Sequence, residues 1–298
     1  MNRWWIYQKE RFPLHAHGPL IAAFSACAVA FSSMLRGAPP PGWQSYVTAF
    51  GVCLLMFFQL RIADEFKDRE EDARWRPYRP VPRGLVTLSE LRIVFIIAAL
   101  VQVALVLAHD SRLFLILAAA WIYFTLMTVE FFCRDWLKAR PVIYMVTHMG
   151  IMPLVDFFGT ACEWLPRGAG APSGLGWFLT ASFFNGIVIE IGRKLRQPAD
   201  EEEGVETYSA LWGKSGGAMV WVGAMVCTFV CAGMAAARIG FAAPLVAGLA
   251  IVLGIALLML PGYLRGSLPG KRIESLTGLW TLTLYLLLGL VPLWLPHA

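Results

Sequence analysis

The sequence predicts an all-α membrane protein, a bundle of nine transmembrane helices, and three observations support this fold class. The chain of 298 residues is 58% hydrophobic and 15% charged, whereas a soluble domain is about 25% charged. Its mean hydropathy is +0.61. Nine segments approach the roughly 20 apolar residues that cross a bilayer, and in lipid such segments must be helical because each backbone amide needs an internal partner.

The predicted elements follow one another without a soluble domain between them. Residues 1–17 mix tryptophans with basic side chains, which is typical of an amphipathic helix at the membrane surface. Long polar loops follow the second and sixth spans, at residues 62–88 and 190–214. We therefore interpret residues 1–298 as one transmembrane domain. The predicted spans are residues 18–35, 43–63, 89–109, 113–133, 141–162, 174–192, 216–237, 241–263 and 276–296.

The lysines and arginines predict the orientation of these spans. If the N-terminus lies in the cytoplasm and the C-terminus outside, all but four of the 25 basic residues fall on the cytoplasmic side, as the positive-inside rule requires. The net charge of +5 then reflects topology and gives no reason to expect a nucleic acid as partner. We expect the protein in a bacterial cytoplasmic membrane. The four exceptions are Arg36, Arg112, Arg167 and Arg238.

The first polar loop begins with three aspartates at four-residue spacing, Asp64, Asp68 and Asp72. On a helix this spacing places the carboxylates on one face, where they repel one another unless a cation lies between them. Oxygen ligands of this kind suit Mg²⁺, which usually completes its shell with water and substrate phosphates. Because arginines follow directly, the loop indicates a phosphorylated lipid as ligand. The alternative interpretation is a solvated acidic helix face balanced by Lys67 and Arg69.

Segment 64–84 resembles the first signature of the UbiA prenyltransferase superfamily, in which spaced aspartates precede an Arg-Pro-x-Arg-Pro-x-Pro-x-Gly element. That element runs here from Arg76 to Gly84. The resemblance implies a UbiA-like bundle of nine helices around a central cavity, with Mg²⁺ as cofactor. It implies Asp64, Glu65, Asp68 and Asp72 as metal ligands, Asp68 and Asp72 as catalytic residues, and Arg76 and Arg79 as substrate-binding residues. Asp64 and Glu65 replace the family's Asn and Asp, and both changes keep oxygen ligands.

The second polar loop matches the second acidic motif of this family in position but less well in chemistry. Glu190 and the element from Gly204 to Thr207 fit the family pattern. Between them, basic residues stand where the family has aspartates, and acidic residues return only at 200–203. We therefore expect Glu190 to be catalytic, and one Mg²⁺ to be bound instead of two. The remaining acidic candidates for the metal are Asp200 and Glu201.

Basic residues near these loops have two interpretations. Arg193, Lys194 and Arg196 either grip a diphosphate directly, as a second Mg²⁺ would, or anchor the sixth span on the cytoplasmic side. Lys138, in the loop after the fourth span, resembles a family lysine that contacts substrate phosphate. Alternatively, Lys138 is one of the basic residues that keep this loop on the cytoplasmic side.

Polar residues within the spans are costly in lipid and usually face a cavity. Asn185 is expected to bind substrate, and Glu130 is a second candidate for the cavity lining. Asp156 is expected to form a structural hydrogen bond between helices. His148 is interpreted either as a structural or as a catalytic residue.

These features together predict Mg²⁺-dependent transfer of an isoprenoid group from a polyprenyl diphosphate to a lipophilic acceptor, among membrane lipids. One alternative keeps the fold and changes the donor to a sugar diphosphate or another lipid diphosphate. The other alternative is a non-catalytic membrane protein that binds or transports lipids.

Overall fold

The computed structural model describes residues 2–295, which form thirteen α-helices and no strand. A π-helical turn, Leu286–Leu290, and a 3-10 turn, Val291–Leu293, extend the last helix. The helices are α1 (Arg3–Arg11), α2 (Leu14–Leu35), α3 (Trp43–Lys67), α4 (Arg69–Trp75), α5 (Leu88–His109), α6 (Leu113–Thr128), α7 (Arg134–Lys138), α8 (Pro141–Met149), α9 (Ile151–Trp164), α10 (Leu175–Gly192), α11 (Tyr208–Ala237), α12 (Ala242–Leu264) and α13 (Gly270–Tyr285).

The helices α2, α3, α5, α6, α8 with α9, α10, α11, α12 and α13 form nine membrane segments that correspond to the predicted spans. The prediction of a nine-helix membrane bundle is therefore confirmed. Within residues 2–295, eight segments are long and apolar enough to cross a membrane. The ninth, α6, is shorter but equally apolar. The faces that α5 and α12 turn away from the bundle expose large apolar side chains such as Leu100 and Leu258, as expected for helices whose surroundings are lipid.

Backbone features shorten one of the predicted spans and divide another. The fourth was expected to continue to residue 133, but α6 ends at Thr128, and Glu130, Phe131 and Phe132 adopt positive φ angles. The fifth is divided at Gly150 into α8 and α9. The Tyr123 hydroxyl packs so closely against Gly150 that a Cβ atom there would overlap it.

The core of the bundle is built on α2, which packs against α3, α9 and the π-helical turn. Small residues allow these close approaches: Gly289 contacts Cys27, and Gly159 faces Ala28. In lipid, helices associate through close packing because apolar burial supplies little driving force there. The small residues of α2 therefore stabilise the centre of the molecule.

The N-terminal surface helix is shorter than predicted, because residues 14–17 belong to the first membrane helix. Helix α1 docks on the first polar loop through Tyr7, which is fully buried, and through an ion pair between Arg11 and Glu65. Glu10 also lies 2.9 Å from Arg83. The helix therefore covers one side of the loop that carries the acidic motif.

Candidate functional site

The two polar loops, more than 100 residues apart in sequence, meet at one end of the bundle. The indole ring of Trp75 packs against Gly204, whose φ is +71°. Glu202 joins the loops, since its carboxylate accepts a hydrogen bond of 2.7 Å from the Tyr78 hydroxyl and one of 3.0 Å from Arg196. The segments that sequence analysis selected separately are thus parts of one site.

A cavity of about 420 Å³ lies between these loops, and we call it the basic cavity. Carboxylates also line it, at Glu10, Glu202, Glu206 and Glu274. Its five cationic side chains come from both loops: Arg76, Arg79, Arg193, Lys194 and Arg196. All five were selected from the sequence as substrate-binding residues, and the structure brings them together.

Asp72 is buried and holds two of these arginines. Its Oδ2 accepts a hydrogen bond of 2.7 Å from Arg79 Nη1, and its Oδ1 lies 3.1 Å from Arg76 Nε. Only 2% of the Asp72 side chain is exposed. The carboxylate that was expected to bind metal therefore has two arginine partners, and it fixes their guanidinium groups beside the basic cavity.

Glu190 repeats this arrangement in the second loop. Its Oε2 accepts hydrogen bonds from Arg193 Nε at 2.8 Å and Nη2 at 2.5 Å, and its Oε1 lies 2.9 Å from Lys194 Nζ. The pKa of Arg193 is raised, chiefly by the charge of Glu190 and additionally by that of Asp64. Each loop thus supplies one carboxylate shared by two cations, and the cations of both groups line the basic cavity.

Asp64 and Asp68 are the predicted metal ligands that keep open oxygen atoms. They lie one helical turn apart at the end of α3, where the Asp64 side chain is 44% exposed and forms an ion pair with Arg61 at 3.1 Å. Within residues 2–295, the carboxylate of Asp68 makes no ion pair or side-chain hydrogen bond. Burial raises the pKa of Asp68, and the neighbouring charge of Asp64 raises it further. In the described part of the chain, the ion pair of these two carboxylates is therefore that of Asp64 with Arg61, and Asp68 has none.

The available carboxylates suit a metal ion that arrives together with the substrate better than they suit a metal site formed by the protein alone. In the described part of the chain, no group of three or more His, Cys, Asp or Glu side chains is arranged to hold a metal ion. Mg²⁺ commonly binds through one or two carboxylates and completes its shell with phosphate and water. Asp64 and Asp68 fit that mode, because the Asp64 carboxylate is 44% exposed and the Asp68 carboxylate forms no ion pair among residues 2–295.

The other predicted metal ligands have different partners. Glu65 follows Asp64 directly, so it points about 100° around the helix, where it is buried against Arg11. Glu201 accepts hydrogen bonds of 2.8 and 2.7 Å from the Thr207 hydroxyl. Asp200 is exposed. The structure therefore does not group these three carboxylates with Asp64 and Asp68.

Two predicted substrate-binding residues lie outside the basic cavity. Lys138 contacts Glu71 at 2.8 Å, and this hydrogen bond lowers the pKa of Glu71. Asn185 is fully buried and accepts a 3.3 Å hydrogen bond from Thr281 within the bundle. Asp156 is also buried between helices, 3.5 Å from the Tyr285 hydroxyl, in keeping with the expected structural role.

A buried polar cluster beside the acidic pair was only partly anticipated. Lys67 Nζ lies 2.5 Å from Glu130 Oε1 and donates a hydrogen bond of 2.5 Å to the Tyr144 hydroxyl. His148 Nε2 lies 3.3 Å from Glu130 Oε2, and the rings of Tyr144 and His148 stack at 3.8 Å. Glu130 and His148 were recognisable as ionisable residues in apolar surroundings. Lys67 and Tyr144 gave no such signal, because their partners are distant in sequence.

Burial alone would raise the pKa of Glu130, but the contacts with His148 and Lys67 lower it to about 2. The cluster lies beside the acidic pair of the first loop, because Lys67 directly precedes Asp68.

Comparison with known proteins gives matches of two kinds. A model described as the UbiA prenyltransferase family matches residues 23–282. The apo structure of a UbiA homolog from Aeropyrum pernix K1 is similar, with a TM-score of 0.67 at 12% identity, covering 90% of this chain and 96% of that one. A structure of digeranylgeranylglyceryl phosphate synthase has a TM-score of 0.64 at 14% identity, covering 99% and 100%. No curated protein matches the chain.

Proposed function

Because the chain belongs to the UbiA prenyltransferase family, we propose that it transfers an isoprenoid group from a polyprenyl diphosphate to a lipophilic acceptor inside the membrane. The observation that carries this proposal is the basic cavity, where cations from both polar loops converge. The cavity lies at the end of an apolar bundle, so a ligand with an anionic head and an isoprenoid tail suits both regions.

The charges around the cavity support a diphosphate as the head group. Asp72 is shared by two arginines, and Glu190 is shared by Arg193 and Lys194. Each group of three therefore keeps one positive charge in excess. Guanidinium groups fixed in this way present several N–H donors to phosphate oxygens and stabilise the negative charge that develops as the carbon–oxygen bond breaks.

Asp64 and Asp68 are the residues that we propose to hold Mg²⁺. When bound, the ion would neutralise part of the diphosphate charge and so make it a better leaving group. The chain itself would bind the head group through Arg193 and Lys194, and its apolar bundle would exclude water from the reacting isoprenoid carbon. Asp72 and Glu190 would act by positioning these cations.

The test is diphosphate release by the purified protein with Mg²⁺ and a series of polyprenyl diphosphates of increasing length. Arg193→Gln is expected to raise the KM for the donor, whereas Arg265→Gln, an exposed arginine outside the cavity, is the matched control and should not. The proposal would have to be abandoned if no polyprenyl diphosphate is cleaved and none stabilises the protein against heat.

Lys194 and Arg196 favour a second candidate donor, because Lys194 and either Arg196 or Gln197 replace the aspartates of the family's second motif. Both line the basic cavity, so a sugar diphosphate or another lipid diphosphate would meet the same cations. Supplying these donors in the same assay separates the two reactions. A non-catalytic lipid-binding or transport role predicts that Asp68→Ala changes ligand movement without the loss of any chemical product.

We further propose that both polar loops face the cytoplasm and that the protein resides in a bacterial cytoplasmic membrane. The distribution of lysine and arginine supports this orientation. It would give the basic cavity access to a water-soluble metal ion and allow the released diphosphate to leave into the cytoplasm.

A further inference from the structure

Lys67 has an unexpected partner for its position in the chain. It lies three residues after Asp64 and directly before Asp68, yet its ammonium group contacts neither in an ion pair among the described residues. Its Nζ instead lies 2.5 Å from Glu130 and 2.5 Å from the Tyr144 hydroxyl, 5.0 Å from the centre of the Tyr144 ring. We call Glu130, Tyr144 and His148 the lysine socket.

The backbone that delivers Glu130 to this socket is strained. Glu130, Phe131 and Phe132 have φ angles of 52°, 51° and 60°, a left-handed conformation that costs free energy for residues with a side chain. The strained turn ends α6 and directs a carboxylate that is only 3% exposed towards Lys67. Backbone strain of this kind persists where the surrounding structure determines it, and it is common at functional sites.

His148 fixes the socket from the opposite side. Its Nδ1 lies 2.8 Å from the Tyr144 carbonyl oxygen, and its Nε2 lies 3.3 Å from Glu130 Oε2. The carboxylate of Glu130 is therefore held between Lys67 and His148, and the stacked tyrosine ring closes the socket.

Without this socket, the ammonium group would have a competing site at the acidic pair. Residues three apart on a helix are neighbours, so the Lys67 side chain can reach Asp64. An ammonium group bound there would occupy the carboxylate oxygens that a metal needs, and its charge would oppose the metal's charge.

We propose that Glu130 is a positioning residue that keeps the Lys67 ammonium group away from Asp64 and Asp68, so that both carboxylates remain open to Mg²⁺. This inference rests on the proposed function, because it assumes that the acidic pair receives the metal. It differs from a direct role of Lys67, in which the lysine itself would bind the diphosphate.

The experiment measures the binding of MgCl₂, with and without inorganic diphosphate, to the purified full-length protein by titration calorimetry and by thermal stabilisation. Glu130→Gln is expected to weaken Mg²⁺ binding by about tenfold or more, given the strength of charge interactions near contact distance. The double variant Glu130→Gln/Lys67→Gln is expected to return to within about threefold of the wild type. A merely structural role for Glu130 predicts no such rescue. Failure of the double variant to regain Mg²⁺ binding would therefore overturn the inference.

Lys67→Gln alone provides a test that does not depend on the folding of the Glu130 variant. It should bind Mg²⁺ and inorganic diphosphate at least as well as the wild type. Weaker binding of inorganic diphosphate by this variant would overturn the inference in favour of a direct role for the lysine. If the wild type itself binds no Mg²⁺ in either condition, the proposed metal site fails and this inference fails with it. If only the rescue fails, the proposed function is unaffected.

Discussion

At the scale of single residues, the carboxylates of this protein differ in what surrounds them, although many look alike in sequence. Asp72 and Glu190 each bind two cations, whereas Asp68 has no charged partner in the described part of the chain. The same acidic motif therefore contains one carboxylate that organises arginines and another that repels its neighbour. Only contacts made through the folded structure distinguish them.

Exchanging these two aspartates for asparagine should give opposite effects on stability. Asp72→Asn leaves two partly buried arginines, 11% and 20% exposed, without their counter-charge, which destabilises a protein by up to about 3–5 kcal/mol. Asp68→Asn removes a charge that burial and Asp64 already disfavour, so its unfolding temperature should be unchanged or higher. Thermal unfolding in detergent without metal measures both. Equal destabilisation by the two variants would contradict the assignment.

Acid should weaken the contribution of Glu130 to stability. Its pKa is lowered from an ordinary value of 4.5 to about 2. A carboxyl group with a depressed folded-state pKa stabilises the fold above its unfolded-state value, and that contribution declines as the pH falls towards 2. The difference in unfolding temperature between the wild type and Glu130→Gln should therefore narrow from pH 5.5 to pH 3.5. A difference that stays constant over this range would exclude a depressed pKa.

At the scale of elements, the site depends on contact between two loops that follow different helices. Trp75 lies at the end of α4, and Gly204 lies in the loop between α10 and α11. Their close packing, together with the bridge from Tyr78 to Arg196 through Glu202, holds the two halves of the basic cavity together. Loss of this contact is expected to separate the cations without unfolding any helix.

Gly204→Ala should reduce donor binding more than it reduces stability. A Cβ atom at this position overlaps the indole ring of Trp75, so the loop must move. Gly168→Ala is a matched control, because Gly168 also has a positive φ, +69°, but no atom lies within 4 Å of its added Cβ. The KM for the donor should rise for Gly204→Ala and stay near the wild-type value for Gly168→Ala. An equal rise in the KM of both variants would indicate that backbone strain at the glycine, and not the contact between the loops, causes the effect.

At the scale of the whole molecule, charge distinguishes the two ends of the bundle. The end that holds the polar loops carries most of the lysine and arginine residues. Three of the four basic exceptions have carboxylate partners: Arg36 and Arg167 both contact Glu163 at 3.0 Å, and Arg112 contacts Asp110 at 2.7 Å. These pairs offset the positive charge at the opposite end and agree with an orientation set by the remaining basic residues.

Reporter fusions test that orientation directly. With nine spans and a cytoplasmic N-terminus, alkaline phosphatase fused to the C-terminus should be active, because this enzyme matures only outside the cytoplasm. The same reporter inserted after residue 267, in the polar loop before α13, should be inactive. Activity in the opposite pattern would reverse the proposed topology and place the basic cavity outside the cell.

The sequence predicted the helices well because hydropathy is a local property, and the match of nine segments follows from it. It also located both polar loops and all five cations of the basic cavity. It could not assign partners to Glu65 or Lys67, since their ion pairs with Arg11 and Glu130 join segments that are distant in sequence. Arg76 and Arg79, the partners of Asp72, lie nearby in the same loop, but the sequence does not show that they bind this carboxylate. The left-handed turn at Phe131 was equally hidden, because residues with a side chain rarely adopt that conformation.

The two shared carboxylates have a consequence for the order of events in a catalytic cycle. Because Asp72 and Glu190 are each shared by two cations, the N–H donors of those cations can bind an anionic head group without a metal ion. If Asp64 and Asp68 hold the proposed Mg²⁺, the phosphate oxygens of a head group bound first would complete the ligand shell of the ion. Donor first and metal second is therefore the expected sequence of loading. The reverse sequence would apply on release, with the freed diphosphate leaving last and acting as an inhibitor competitive with the donor.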